Sequence, residues 1–125
     1  MAFSSSPVSF ALGVVAASGT SVAPSTAVPD NCHTILVTNP AAAGGAVVLV
    51  GFGVTAPAAL TAGVNAQRVP PGSTLSLGIG SMAAGVRGPI DQATVAGSGM
   101  VLDSIGGAVS PEITYLNHLG VKGGD

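Results

Sequence analysis

Residues 34–52 read TILVTNPAAAGGAVVLVGF, and this stretch decides the fold. Two runs of β-branched and other apolar residues flank a segment that contains Asn39, Pro40, Gly44 and Gly45. These residues predict a turn, because Asn and Gly favour turns and Pro cannot donate a backbone hydrogen bond to a sheet. The second run is apolar at every position, which indicates a strand covered on both faces. The stretch therefore predicts a strand, a loop and a strand at the centre of a β-domain.

Residues 8–16 form the first predicted strand. Apolar side chains recur there at every second position, at Val8, Phe10, Leu12, Val14 and Ala16. This period of two predicts a half-buried strand with these side chains on the inner face. Residues 1–7 before it are small and polar, and we interpret them as an arm.

The alternation is clearest in residues 73–79. Pro71 and Gly72 just before it match the second and third positions of a type II turn. The side chains predicted to point inward are Leu75, Leu77 and Ile79. Shorter segments complete the predicted β-structure: strands at 64–68, 81–87, 92–96 and 99–102, and a turn at 103–107.

Residues 110–120 support two interpretations. Ser110, Pro111 and Glu112 are typical of a helix start. Ile113 and Tyr115 instead alternate and prefer strands. We favour a strand and keep a short C-terminal helix as the alternative.

Roughly seven to nine short strands separated by Gly and Pro predict an all-β protein. The expected fold is a single-domain antiparallel β-sandwich, jelly-roll-like, with extended termini. Residues 1–7 are the N-terminal arm, 8–120 the β-sandwich domain and 121–125 the C-terminal tail. Within the domain, residues 18–31 contain two prolines, which predicts a loop or edge segment rather than an inner strand.

Composition excludes several function classes. The chain has 125 residues, of which 47% are apolar and 6% charged, whereas about a quarter of an ordinary domain is charged. So weakly charged a surface predicts that other subunits cover much of it. Three basic residues form no patch for phosphates, so no nucleic-acid partner is expected. No apolar run is long enough to span a bilayer, so we also expect no membrane partner.

The chain contains few reactive groups. His33 and His118 are far apart in sequence, and an acid such as Asp30 or Asp103 would meet one of them only by coincidence of folding. We interpret both histidines as surface or hydrogen-bonded residues, and the single cysteine, Cys32, as a small buried hydrophobe. The sequence therefore predicts a protein that is not an enzyme, with no catalytic, cofactor-binding or metal-binding residues and no cofactor.

Three segments carry a resemblance to a known group of proteins. They are residues 35–40 (ILVTNP), 47–51 (VVLVG) and 69–77 (VPPGSTLSL). In sequence they resemble small tailed-phage virion proteins, which include capsid decoration (cement) proteins and fibre or adhesion modules. The resemblance implies a jelly-roll or β-sandwich domain, often trimeric, that bridges major capsid proteins on the outer surface of the assembled bacteriophage shell.

The leading hypothesis is therefore a capsid decoration protein. Its expected partners are the major capsid protein and its own copies in a homotrimer, and its expected location is the virion surface after synthesis in the host cytoplasm. Residues 1–7, 18–31 and 110–125 are the expected contact segments.

The alternative is a phage fibre or adhesion module that binds a host-surface glycan or protein. Tyr115, Asn117 and His118 clustered in an open groove would favour it.

Overall fold

The computed structural model describes residues 6–12, 21–29, 31–52, 60–80, 90–91 and 100–118. These ranges contain eight β-strands and no helix, so the all-β prediction is confirmed. The strands are β1 (Val8–Leu12), β2 (Cys32–Thr38), β3 (Val47–Phe52), β4 (Ala66–Val69), β5 (Thr74–Gly80), β6 (Ile90–Asp91), β7 (Met100–Ile105) and β8 (Glu112–Asn117).

The strands form two sheets. The larger has the antiparallel order β1-β8-β2-β5, and the two-residue β6 pairs with β5 in parallel at one edge. The smaller sheet has the order β4-β3-β7. Side chains from both sheets share one buried cluster, as expected for a sandwich.

The pairing follows the jelly-roll scheme. A jelly roll has eight strands, of which the first pairs with the last, the second with the seventh, the third with the sixth and the fourth with the fifth. If β6 is left out and the segment at Val22 is counted as the second strand, the labels β2 to β5 denote the third to sixth strands. The pairs β1–β8, β2–β5 and β3–β4 then match the scheme. The remaining pair is reduced to a single antiparallel bridge between Val22 and Leu102 of β7. If β6 is set aside as an edge addition, the fold is a jelly roll whose second strand is one bridge long.

The core lies between the inner faces of the sheets. Ile35 and Val37 of β2 point into it and are fully buried. The other core side chains with at most 2% exposure are Val28, Cys32, Val48, Val50, Val69, Ile79, Met100, Leu102, Ile113 and Tyr115. Burial of these apolar groups is the main force that holds the sheets together.

The central strand of the smaller sheet is buried on both faces. Val48, Leu49 and Val50 of β3 have at most 2% exposure, although consecutive residues point to opposite faces. This confirms the prediction from the continuous apolar run. Gly51 allows a close approach, because a Cβ there would lie 2.6 Å from a methyl carbon of Leu60.

The predicted turn after β2 and the predicted turn before β5 are both present, and they lie side by side. Asn39 follows the last residue of β2, and its backbone exchanges hydrogen bonds with Ser73 and Gly72. Gly72 has φ of 76°, and the Ser73 amide donates to the Pro70 carbonyl at 3.1 Å. These features match the predicted type II turn. β2 therefore ends where the backbone of Asn39 bonds to the turn at residues 70–73.

The orientation predicted for the first strand is wrong. Phe10 is 69% exposed and Val8 is 38% exposed, whereas Ala11 is buried. Val8 and Phe10 therefore face outward. The reason is the register with β8, which places Ala11 opposite the inward-facing Ile113 and Phe10 opposite Thr114. Residues 13–20 lie outside the described ranges.

Two further predictions are corrected or resolved. The expected turn at 103–107 is wrong in its first part, because Asp103, Ser104 and Ile105 continue β7 and the reversal comes at Gly106 and Gly107. Residues 112–117 are strand β8, so the alternative of a C-terminal helix is wrong for them. The strands predicted at 81–87 and 92–96 fall outside the described residues.

Candidate functional site

Parts of the three predicted contact segments meet at one end of the larger sheet. The Asn117 amide donates to the Pro7 carbonyl at 2.9 Å, and its side-chain Nδ2 donates to the Ser6 carbonyl at 3.2 Å. The His118 amide donates to the Asn31 carbonyl at 2.8 Å, and Asn31 Nδ2 returns a bond to the His118 carbonyl at 2.9 Å. We call this region the histidine end, defined by residues 6–7, 31–33 and 117–118.

The two histidines lie side by side there. Cys32 pairs with Asn117 and Thr34 with Leu116, so the register shifts and His33 is the extra residue of a β-bulge. The ring centroids of His33 and His118 are 4.9 Å apart, with the ring planes tilted by 56°. Because the two histidines are far apart in the chain, the sequence carries no indication of this contact. Only the antiparallel pairing of β2 with β8 brings the start of one strand beside the end of the other.

The polar atoms of this pair differ in their partners. His33 Nδ1 lies 2.9 Å from the Thr34 hydroxyl oxygen, which is hydrogen-bonding distance. His118 Nε2 is buried and has no hydrogen-bond partner among the described residues, and the same holds for Asn117 Oδ1. Partial burial, followed by the charge of His118, lowers the pKa of His33 below its usual value. The ring of His33 is thus disposed to be neutral near pH 7.

Cys32 is present as a buried thiol. It is fully buried and free, and its Sγ donates to the Thr34 carbonyl at 3.3 Å. Burial raises the pKa of this thiol to about 11. A thiol that stays protonated is a poor nucleophile and a poor metal ligand. The interpretation as a small buried hydrophobe is therefore confirmed.

The outer face of the larger sheet begins at the histidine end. One cross-strand row consists of Val8, Leu116, Thr34 and Gly78, and the next consists of Phe10, Thr114, Leu36 and Ser76. We call these two rows the outer face; the next row on the same side of the sheet contains Glu112, Thr38 and Thr74 and brings the carboxylate of Glu112 to its border. None of its eight side chains carries a charge. Phe10 is the most exposed large apolar residue on it, at 69%.

An open cleft lies at the margin of the outer face. Its volume is about 480 Å³, and it is lined by Phe10, Ala11, Ser25, Glu112, Ile113 and Thr114. Such a volume lies in the range of small-molecule sites. The lining combines an exposed aromatic ring with a carboxylate and two hydroxyl groups.

The cluster proposed for glycan recognition does not form an open groove. Tyr115 is fully buried, and its hydroxyl donates to the Thr26 carbonyl at 2.6 Å. Asn117 is also buried, at 4% exposure. The acids named beside the histidines are not part of the histidine end as described: Asp103 lies in β7 of the smaller sheet, and Asp30 falls outside the described residues.

Searches for known chemistry and known relatives give negative results. The described ranges contain no group of three or more histidine, cysteine or acidic side chains that can hold a metal ion. Nor do those ranges contain a helix long and apolar enough to cross a membrane. No protein family, curated protein or solved structure matches this chain.

Proposed function

We propose that this protein is a structural component of a virion, a capsid decoration protein that binds the assembled shell through its outer face. The observation that carries the proposal is the pair of adjacent uncharged rows that form the outer face, on which Phe10 is 69% exposed. Major capsid proteins are the proposed partner, and other copies of this chain complete a homotrimer. The resemblance of residues 34–79 to small tailed-phage virion proteins supports the same assignment.

The physical chemistry of the outer face suits a permanent contact. Removing threonine, glycine and aliphatic residues from water costs much less free energy than removing charged ones. Charged residues are accordingly depleted in the centres of protein interfaces. Burying a phenylalanine such as Phe10 contributes about 1.5–3 kcal/mol. Many copies on one lattice add such modest contacts by avidity. A protein that binds only the assembled shell stabilises it by mass action.

The fold is compatible with this role without determining it. Jelly rolls occur in viral capsid proteins and in lectins, and a fold by itself does not establish a function. The outer face is what directs the proposal toward a protein surface. Its two rows continue into the histidine end through Thr34 and Leu116.

The test compares shells with and without the protein. Shells stripped of it are reconstituted with wild type, with Phe10→Ser or with Val64→Ser, and the temperature of genome release is measured. Val64 is a matched control, because it is 81% exposed and lies in the loop before β4. We expect wild type and Val64→Ser to restore heat resistance and Phe10→Ser to restore less.

Two results would reject the proposal. One is equal heat resistance of stripped and reconstituted shells, and the other is equal rescue by all three proteins. Light scattering of the free protein tests the trimer separately, since a monomeric mass at working concentration contradicts it. Circular dichroism confirms that each variant is folded.

A second candidate function rests on the cleft. Phe10 stands beside Glu112 and Thr114 at its mouth, and an aromatic face next to hydrogen-bonding groups suits a sugar ring. A glycan array with wild type and Glu112→Gln tests this adhesion role. Saturable sugar binding that Glu112→Gln abolishes, with no effect of the protein on shells, favours adhesion over decoration.

A further inference from the structure

We propose that His33 and His118 form a binding site for a borderline divalent transition metal such as Zn²⁺, Ni²⁺ or Cu²⁺. The site borders the outer face, because Thr34 belongs to both, but it does not include Phe10, which carries the proposed function. It rests on the spacing of the two rings, on the hydrogen bond that orients one of them and on the unpartnered nitrogen of the other.

The spacing fits a shared metal. Two imidazoles bound to one tetrahedral ion with metal–nitrogen distances near 2.0–2.1 Å have ring centroids about 5 Å apart. The centroids of His33 and His118 are 4.9 Å apart, and the planes are tilted by 56° rather than stacked. The centroid spacing of the two rings therefore matches that of two imidazoles on a shared ion.

Each ring has a nitrogen suited to this role. His33 Nδ1 is within 2.9 Å of the Thr34 hydroxyl. When Nδ1–H donates to that oxygen, the lone pair of His33 lies on Nε2. A hydrogen bond from the nitrogen that does not bind the metal commonly orients metal-binding histidines. His118 Nε2 is buried, and no described residue forms a hydrogen bond with it. A buried polar atom in this condition requires an explanation, and a bound ion provides one.

The backbone holds both histidines in place. His118 is fixed to residue 31 by two hydrogen bonds of 2.8 and 2.9 Å, and His33 is the extra residue of the bulge in β2. Little conformational freedom is then lost when a metal binds, which favours affinity.

The ligand types select the metal. Imidazole suits Zn²⁺, Cu²⁺ and Ni²⁺, whereas Mg²⁺ and Ca²⁺ require oxygen ligands. The described residues offer no third protein ligand. The remaining coordination positions are therefore open to water or to a group from another molecule.

The experiment titrates untagged protein with Ni²⁺ and with Zn²⁺ by calorimetry, with Mg²⁺ as the hard-cation control. The chain has only two histidines, so His33→Gln and His118→Gln each leave a single ring. We expect one Ni²⁺ per chain, a loss of affinity of at least about tenfold in either variant, and a loss of about tenfold in Thr34→Val. Ring ¹⁵N shifts on Zn²⁺ addition identify the bound nitrogens.

Cys32→Ser is the matched control and retains binding, because the buried thiol is not a ligand. Absence of saturable Ni²⁺ binding, or equal binding by wild type and both glutamine variants, overturns the proposal. Circular dichroism separates loss of binding from loss of fold. Failure here leaves the shell experiments with Phe10→Ser unaffected, so the two proposals are distinguishable.

Discussion

At one end of β2 the Asn39 side chain forms three hydrogen bonds, whereas at the other end His118 Nε2 and Asn117 Oδ1 form none with the part of the chain that the structure describes. Asn39 is fully buried, and its Nδ2 donates to the carbonyls of Ala46 and Val69 at 2.8 and 2.9 Å. Its Oδ1 accepts from the Ala41 amide at 3.0 Å. The backbone of the histidine end is also held by hydrogen bonds. Two of its side-chain atoms are nevertheless buried without a hydrogen-bond partner among the described residues.

This difference separates a structural polar site from a candidate binding site. A satisfied buried amide fixes the chain and contributes to stability. An unsatisfied buried atom costs about 1–3 kcal/mol, and native proteins retain few of them. We infer that the Asn39 end serves the fold and that the histidine end is free to bind.

The largest expected effect is at the Asn39 end. Asn39→Ala leaves the Ala46 and Val69 carbonyls without this donor, and we expect a loss of roughly 3 kcal/mol or more in the free energy of unfolding. Urea denaturation measures it. Asn65→Ala is the control, since Asn65 Oδ1 accepts from Thr61 at an exposed site and its loss costs about 1 kcal/mol or less. Equal losses in both variants would contradict the distinction.

The second-largest expected effect is a loss in the free energy of unfolding at alkaline pH, which originates at the histidine end. Burial raises the pKa of Cys32 from 9.0 to about 11 and also raises the pKa of Tyr115. The folded state therefore holds protons that the unfolded state has lost, so stability is fully present below pH 9 and falls as the pH rises toward 11. The Cys32 contribution to this loss is roughly 1–3 kcal/mol.

Urea denaturation of wild type and Cys32→Ala between pH 8 and pH 11 tests this, with the pH values set by the raised pKa. The free energy of unfolding should fall less steeply with pH in Cys32→Ala than in wild type. In Asn39→Ala it should be lower at every pH and fall as steeply as in wild type. Identical slopes in wild type and Cys32→Ala would show that the thiol does not contribute.

The smallest effect is expected at His118. His118→Phe removes the unpartnered nitrogen and keeps a ring of similar size, so without metal the free energy of unfolding should change by less than about 1 kcal/mol. Denaturation in the presence of a chelator measures it. A loss as large as that of Asn39→Ala would mean that His118 is a structural residue and that the two ends do not differ.

The predicted strands were more reliable than the predicted faces. The alternation in residues 73–79 correctly predicts that Ile79 is in the core and that Leu75 and Leu77 pack against it. The same reasoning fails for residues 8–12, where Phe10 faces outward. Period-two patterns show which side chains share a face. Which face is inward depends on the partner strand, and here β8 decides it.

Much of the candidate site was beyond sequence reasoning. Residues 1–7, 18–31 and 110–125 were predicted as contact segments, and parts of all three meet at the histidine end. The contact between His33 and His118 carries no sequence signal, because 84 residues separate the two positions. The bulge that leaves His33 unpaired is likewise a property of the β2–β8 register.

The sequence by itself determined the β-class, the turns at Asn39 and Gly72, the buried strand in residues 47–52 and the low charge of the surface. These features depend on local backbone preferences and on composition, which each segment carries alone. Only the tertiary structure decided the jelly-roll pairing, the outward position of Phe10 and the pairing of the two histidines. Those depend on contacts between distant segments, since a strand's register and neighbours are set by packing of the whole core.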